Sequence, residues 1–221
     1  MTKKDIAIIG GTFDPIHNGH IDMIKYLIDN YIVDEVWVLP SYNSPHKEID
    51  TIKSFEHRLN MIKLAIRDIK CVSINTFEKE YYETHSGNVK TYTYEILEEL
   101  KKKFYNCRFH FVVGFDSIKQ INTWYRYEDL IRDYWFYIFD RFDNEFTSKG
   151  QKKLYLDNLG KNKGINFIYE FFDVKVTNIS STEIRDLFRD LEKNKDTLLT
   201  YLDRKVFDYI LENNLYMPKS I

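Results

Sequence analysis

Short runs of apolar residues alternate along this chain with longer stretches in which apolar positions recur every three or four residues. Residues 6–9, 36–39, 72–74, 109–113, 135–139 and 167–169 read as strands, with a further short one near 174–176. Several are apolar at every position, the pattern of a strand covered on both faces. Between them, Ile21, Ile24, Leu27 and Ile28 give one apolar side to a helix over 20–30. Leu59, Ile62, Ile66 and Ile69 do the same over 55–69, with Ser54 as N-cap, and Leu97, Leu100 and Phe104 over 94–104. Strand–helix–strand repetition implies right-handed crossovers and a parallel sheet. The expected fold is α/β: a Rossmann-like open parallel sheet with helices on both faces. Residues 180–216 predict two helices with no strand between, so that about 180–221 form a C-terminal helical cap on the same sheet, within a single domain spanning 1–221. The Lys-, Asn- and Gly-rich stretch 144–165 predicts a helix between two loops.

Composition narrows the function. Thirty-two basic residues stand against 34 acidic ones, a formal net charge of −2, which argues against a surface built to coat nucleic acid or an anionic membrane. A small anionic ligand needs only a few local donors and stays open. The two cysteines, Cys71 and Cys107, lie in no CxxC or Cys/His cluster, and predict reduced, buried thiols in a cytoplasmic protein. The apolar run after Lys3 and Lys4 is too short for a signal peptide or a membrane span.

The chemistry concentrates in residues 10–20, GGTFDPIHNGH, where the first strand gives way to the first helix. Gly10 and Gly11 suit a sharp turn with no side chain between backbone and ligand, and Pro15 stiffens the loop. Gly19 stands where the helix starts, and the free N–H groups and dipole of a helix start suit a phosphate. His17 and His20, at i and i+3, can project from one side and donate to phosphate oxygens, with charge assistance if protonated. The same spacing could hold a metal, though no cysteine or third histidine lies close in sequence, and a plain turn with surface histidines is the other local alternative. Neither common phosphate loop is present: Gly160-Lys161 is followed by Asn162 where a P-loop needs Ser or Thr.

Gly-Gly-Thr-Phe-Asp-Pro-x-His-x-Gly-His resembles the signature of the HxGH nucleotidyltransferase superfamily, and its full form is similar to the bacterial-type nicotinate (or nicotinamide) mononucleotide adenylyltransferases. Further stretches match that family in order. Residues 40–47, PSYNSPHK, are similar to its P-(x)n-PHK loop, and Thr91-Tyr92-Thr93 to its TYT turn; read locally, Thr93 is a helix N-cap. Gly114-Phe115-Asp116-Ser117 with Trp124 resembles its GxDS…W segment, and residues 179–185, ISSTEIR, its ISSTxIR. Read locally, Ser180 and Glu183 form a capping box, which leaves the first-turn cation Arg185 unexplained. Residues 206–216 are similar to the family's terminal helix and read as packing. Two departures stand out: Phe115 replaces a small residue, which could reshape the pyridine pocket, and Arg141 is followed by Phe142-Asp143 rather than Pro-Gly, which leaves its ligand role open.

The resemblance implies transfer of the adenylyl group of ATP to nicotinate mononucleotide, with deamido-NAD and pyrophosphate as products, in NAD biosynthesis. It implies His17, His20, Lys47 and Arg185 as the catalytic donors. ATP would meet Gly10, Gly11, Thr12, Phe13, His17, His20, Ser180, Ser181, Thr182 and Arg185. The mononucleotide would meet Asp14, His46, Lys47, Thr91, Tyr92, Thr93, Asp116 and Trp124, the indole stacking on a flat cationic ring. Mg²⁺ would travel with ATP rather than on protein ligands. Neither nucleic acid nor membrane is an expected partner, and a homo-oligomer is left open. The alternatives are a preference for nicotinamide mononucleotide, another HxGH enzyme such as a phosphopantetheine adenylyltransferase or a cytidylyltransferase, or a nucleotide-binding sensor without turnover.

Overall fold

A computed structural model describes residues 3–43, 52–85, 90–141 and 143–218. Its centre is a six-stranded, wholly parallel sheet of order β3-β2-β1-β4-β5-β6. The strands are β1 (Lys4–Gly11), β2 (Glu35–Pro40), β3 (Val72–Ile74), β4 (Cys107–Gly114), β5 (Trp135–Phe139) and β6 (Tyr169–Phe172). Although the runs are apolar throughout, their side chains alternate between two cores. Ala7 and Ile9 of β1 join one core with Val36, Val38, Tyr137 and Phe139. Ile6 and Ile8 join the other with Phe109, Phe111, Phe136 and Ile138.

Helices cover both faces, as the alternation of elements predicts. The first core is closed by α1 (Asn18–Asp29), α2 (Phe55–Ile66) and the C-terminal helices; a short, largely polar α3 (Phe77–Thr84) follows β3. The second is closed by α4 (Thr93–Lys103), the single turn α5 (Phe115–Ile118), α6 (Tyr127–Asp133) and α7 (Lys149–Lys161). The C-terminal cap is α8 (Ser181–Leu187), a 3-10 turn over Phe188–Asp190, α9 (Leu191–Tyr201) and α10 (Arg204–Glu212). It therefore holds three α-helices where the periodicity predicted two. Asp190 and Asp203 each cap the next helix through their side chains and break what reads as a continuous pattern.

Other expectations shift locally. The sixth strand begins at Tyr169 rather than Phe167, because Phe167 packs back onto α7, where a Cβ on Gly160 would lie 2.9 Å from its own Cβ. Residues 174–176 form no strand; just beyond them, the Thr177 amide and hydroxyl donate to the Asp22 carboxylate of α1 at 2.7 and 2.6 Å. Thr93 is the first residue of α4, and Tyr92 is the N-cap, without a side-chain bond. Cys107 is buried, but Cys71 is exposed; both are free thiols. Gly160-Lys161 ends α7 and has no phosphate-loop geometry. Among the described residues no helix is long and apolar enough to cross a membrane.

The strand order positions the ligand site. From β1 the chain steps outward through β2 to β3, then returns to place β4 on the other side of β1. The connections leave the carboxyl ends of β1 and β4 in opposite directions, which opens a crevice between them. Helix α1 starts at this crevice and runs close to the segment after β6: a Cβ on Gly19 would lie 2.5 Å from the Thr177 carbonyl oxygen. Gly19→Ala is expected to lower stability by about 1–3 kcal/mol, as over-packing against backbone does. Gly150→Ala, where a Cβ meets nothing within 4 Å in the first turn of α7, should raise it by roughly 0.5–1 kcal/mol. Urea unfolding of both variants checks the pair; equal shifts would contradict the close approach.

Candidate active site

A cleft of about 510 Å³ lies at the crevice, with Gly10 and Gly11 ending β1 on one side and Val113 and Gly114 ending β4 on the other. The two glycines do not make the turn that the sequence suggests. Both still belong to β1, and it is Phe13 that takes a left-handed backbone, at φ 52°. What Gly10 and Gly11 contribute is a floor without side chains, open to a ligand that must approach the backbone. Phe13 itself is fully buried, its ring edge-on to the His20 ring at 5.0 Å.

Beneath that floor the loop from Thr12 to His17 is held from several directions. The Arg58 guanidinium of α2 donates to the Thr12 carbonyl at 2.7 Å and to the Lys53 carbonyl at 3.1 Å. Asp14 is buried, its carboxylate accepting the Tyr216 hydroxyl at 2.6 Å and its carbonyl accepting Arg185 Nη1 at 2.8 Å. Ser181 Oγ donates to the Pro15 carbonyl at 2.9 Å. Burial and the neighbouring Asp14 push the Tyr216 phenol well above its ordinary range, so it stays a proton donor.

The histidines stack, with ring centroids 3.7 Å apart and planes inclined by 30°. His17 is buried and held neutral: burial first, and then the nearby Arg141 cation, lower its pKa to about 3. It is therefore an uncharged partner at neutral pH, not the charged donor that protonation would allow. His20 lines the cleft. Its Nδ1 accepts the His17 backbone N–H at 3.3 Å, which leaves Nε2 to carry the ring proton.

The opposite wall carries Asp116, Ser117, Gln120, Trp124, Tyr125 and Arg141. Arg141 lies 3.5 Å from the Asp116 carboxylate through Nη1 and donates to the Ile179 carbonyl through Nη2 at 2.5 Å. Its Nε, Asp116 Oδ1 and His17 Nδ1 are buried with no hydrogen-bond partner among the described residues. Arg141 thus sits at the cleft despite the altered residues after it. The buried Lys152 of α7 holds this turn by pairing with Asp140 and donating to the Arg141 carbonyl at 2.7 Å. The Trp124 indole stands edge-on to Phe111 at 6.0 Å, and Tyr92 and Tyr125 face each other at 4.3 Å. Phe115 points the other way, fully buried in the second core, so it leaves the cleft's shape untouched.

The structure thus gathers Gly10, Gly11, Thr12, His20, Thr91, Tyr92, Thr93, Asp116 and Trp124 around one cleft. Phe13, Asp14 and His17 lie buried behind its wall. Ser180 and Glu183 form the expected capping box on α8, and Arg185 is occupied with Asp14 and Thr182. His46 and Lys47 fall outside the described residues.

Sequence patterning missed several buried charges, Lys152, Arg58 and Glu78 among them. Arg58 sits on the apolar side of α2 among Phe55 and Ile62, and a cation at an apolar position was the available signal. Glu78 is buried at the cleft on α3, in a stretch too polar to read as a helix. Burial raises its carboxyl to about 7, opposed by the hydrogen bonds it accepts from Thr91 and Tyr42.

An open parallel sheet with a phosphate-suited floor at its switch point is the arrangement of a nucleotide-binding α/β protein. Residues 8–187 match the cytidylyltransferase-like family. A protein of Desulfotalea psychrophila named "Probable nicotinate-nucleotide adenylyltransferase" is 33% identical over 224 residues, covering 96% of this chain and all of its own. One of the same name from Clostridium acetobutylicum is 34% identical, over 98% of this chain and all of its own. Among solved structures, the nicotinic acid mononucleotide adenylyltransferase of Plasmodium falciparum complexed with NaAD superposes with a TM-score of 0.77 at 25% identity. That superposition covers 96% of this chain and 97% of the other. The chain belongs to the cytidylyltransferase-like family and, within it, to the nicotinate-nucleotide adenylyltransferases.

The anchorage of the loop can be tested directly. Tyr216→Phe leaves a buried carboxylate one donor short, and an unfolding free energy lower by about 1–3 kcal/mol is expected in urea. Wild-type stability in that variant would contradict the role given to the hydroxyl.

Proposed function

We propose that the chain transfers the adenylyl group of ATP to nicotinate mononucleotide, giving deamido-NAD and pyrophosphate, as a cytoplasmic step of NAD biosynthesis. The observation that carries this reading is the union, in one cleft, of the glycine floor and His20 with an aromatic wall that includes Trp124. The first suits phosphates; the second suits a flat pyridinium ring. The named relatives, and the structural neighbour complexed with NaAD, agree with it.

In the reaction the 5′-phosphate of the mononucleotide attacks the α-phosphorus of ATP. A bond forms between that phosphorus and the phosphate oxygen as the bond to the β-phosphate breaks, and pyrophosphate leaves. The attacking phosphate is mostly a dianion at neutral pH, its second pKa being ~6, so no base is needed to activate it. The protein's task is to align two anions that repel and to stabilise charge on the transferring group. His20 would donate to an ATP phosphate from Nε2, with His17 packed under its ring and Arg141 and Lys47 as cations of the site. Arg185 would act chiefly by fixing the loop through Asp14, from the start of a helix whose ISSTEIR residues suit the triphosphate. Trp124, with Thr91, Tyr92 and Thr93, would face the mononucleotide, and Asp116 would stand between the substrates.

The His20 imidazole and the Arg141 guanidinium at the cleft suit phosphate oxygens, while of the carboxylates lining it Glu78 is taken up by Tyr42 and Thr91 and Asp116 faces Arg141. No group of three His, Cys, Asp or Glu placed to hold a metal occurs among the described residues. We place Mg²⁺ on the ATP phosphates, where it would neutralise their charge.

Incubating the purified chain with ATP and either mononucleotide, with pyrophosphate release and dinucleotide formation followed, tests the reading. Dinucleotide formation with higher kcat/KM for the nicotinate form is expected; no dinucleotide with either would refute it. His20→Ala should lower kcat by roughly 10²–10³, the loss of one preorganised donor. Wild-type turnover in that variant would remove His20 from the chemistry.

A further inference from the structure

Two chain segments that meet at one end of the cleft are far apart in sequence, and neither belongs to a regular element. One is Ser41 to Asn43, just after β2; the other is the turn at Thr91, just before α4. Glu78, on α3, stands between them. Its Oε1 accepts the Tyr42 backbone N–H at 2.8 Å and the Thr91 hydroxyl at 2.5 Å. The Asn43 amide also bonds to this carboxyl, and the Thr91 N–H donates to the Asn43 carbonyl at 3.3 Å. Ser41, Glu78 and Thr91 all line the cleft.

From this we infer that Glu78 is a positioning residue for the mononucleotide end of the site, holding the segment after β2 against the Thr91 turn. The inference rests on the proposed adenylyl transfer to a pyridine mononucleotide. Glu78 is not assigned a substrate contact; it acts through Tyr42, Asn43 and Thr91.

The contact has a charge state. The buried carboxyl of Glu78 titrates at about 7, burial being the main cause. The charged group facing it from another element is Arg58 of α2, which favours ionisation, as do the bonds from Tyr42, Thr91 and Asn43. Its native pKa is raised, so its contribution to stability is complete below the ordinary carboxyl range and is lost as pH rises through about 7. The hydrogen bonds run the other way: those to a carboxylate are stronger than those to a neutral carboxyl. Raising the pH through about 7 therefore tightens the two segments at some expense in global stability. Glu78→Gln keeps an acceptor oxygen and cannot ionise, so it mimics the low-pH form at every pH.

Steady-state kinetics of wild type, Glu78→Gln and Glu78→Ala between about pH 6 and 8, on either side of the carboxyl's titration, test the assignment. The mononucleotide phosphate titrates alike in all three, so the ratio between variants isolates Glu78. Expected is a mononucleotide KM raised about tenfold or more in Glu78→Ala, with the KM for ATP changed less than about twofold. Glu78→Gln should match wild type near about pH 6 and fall behind by about fivefold in mononucleotide KM by about pH 8. Equal changes in both KM values, or a Gln-to-wild-type ratio flat with pH, would overturn the proposal. A second readout needs no turnover: amide hydrogen exchange of the ligand-free protein. Tyr42 and Thr91 amides should exchange faster in Glu78→Ala, or in Glu78→Gln at the upper end of the pH range if the alanine variant does not fold, with α1 amides unchanged. Unchanged exchange at Tyr42 would overturn the positioning role, whereas absence of product from wild type with exchange as expected would sink only the reading of function.

Discussion

The structure depends on a carboxylate that cannot be left alone. Asp14 is buried in the loop between β1 and α1, where an unpartnered charge would be costly. Its oxygens are answered by the Tyr216 hydroxyl and, at 4.0 Å, by Arg185, while Arg185 and Arg58 bind the carbonyls on either side of Phe13. These partners come from α2, from α8 and from the segment after α10. The loop therefore takes its shape only when the C-terminal cap has closed on the sheet. This gives the cap a purpose beyond covering the first core: it holds the loop beneath the cleft floor that leads to the two histidines.

A loop fixed in that way explains why the histidines can be so unlike in environment. His17 is packed in, neutral, and shields one face of the His20 ring; His20 meets the cleft with its tautomer set by the His17 amide. Fixed dipoles and hydrogens of this kind stabilise developing charge because they need not reorganise during the reaction. The opposite wall follows the same logic, with Lys152 buried on Asp140 and the Arg141 carbonyl so that the guanidinium is held near Asp116.

Much of the fold was legible because period and length carry it. Six of the seven strands read from apolar runs are present, and the helices over 20–30, 55–69 and 94–104 appear at 18–29, 55–66 and 93–103. The missed elements are those whose stability is tertiary. Helix α3 is polar, and its single buried residue is a glutamate; residues 174–176 form no strand, and the chain just beyond them bonds to Asp22. In the site, motif spacing located the cleft walls but not the roles. Nothing in the sequence shows that Tyr216, 202 residues away, will donate to the Asp14 carboxylate. Gly10 and Gly11 look like a turn because sequence cannot show that Phe13 takes the left-handed backbone.

The most direct test is a crystal structure of the chain with a non-hydrolysable ATP analogue. A preformed loop predicts phosphate oxygens within hydrogen-bonding distance of His20 Nε2 and above Gly10 and Gly11, with the Tyr216–Asp14 bond intact and Phe13 still left-handed. A nucleotide bound elsewhere, or a loop rebuilt around it with that bond broken, would contradict the claim that the fold alone shapes the site.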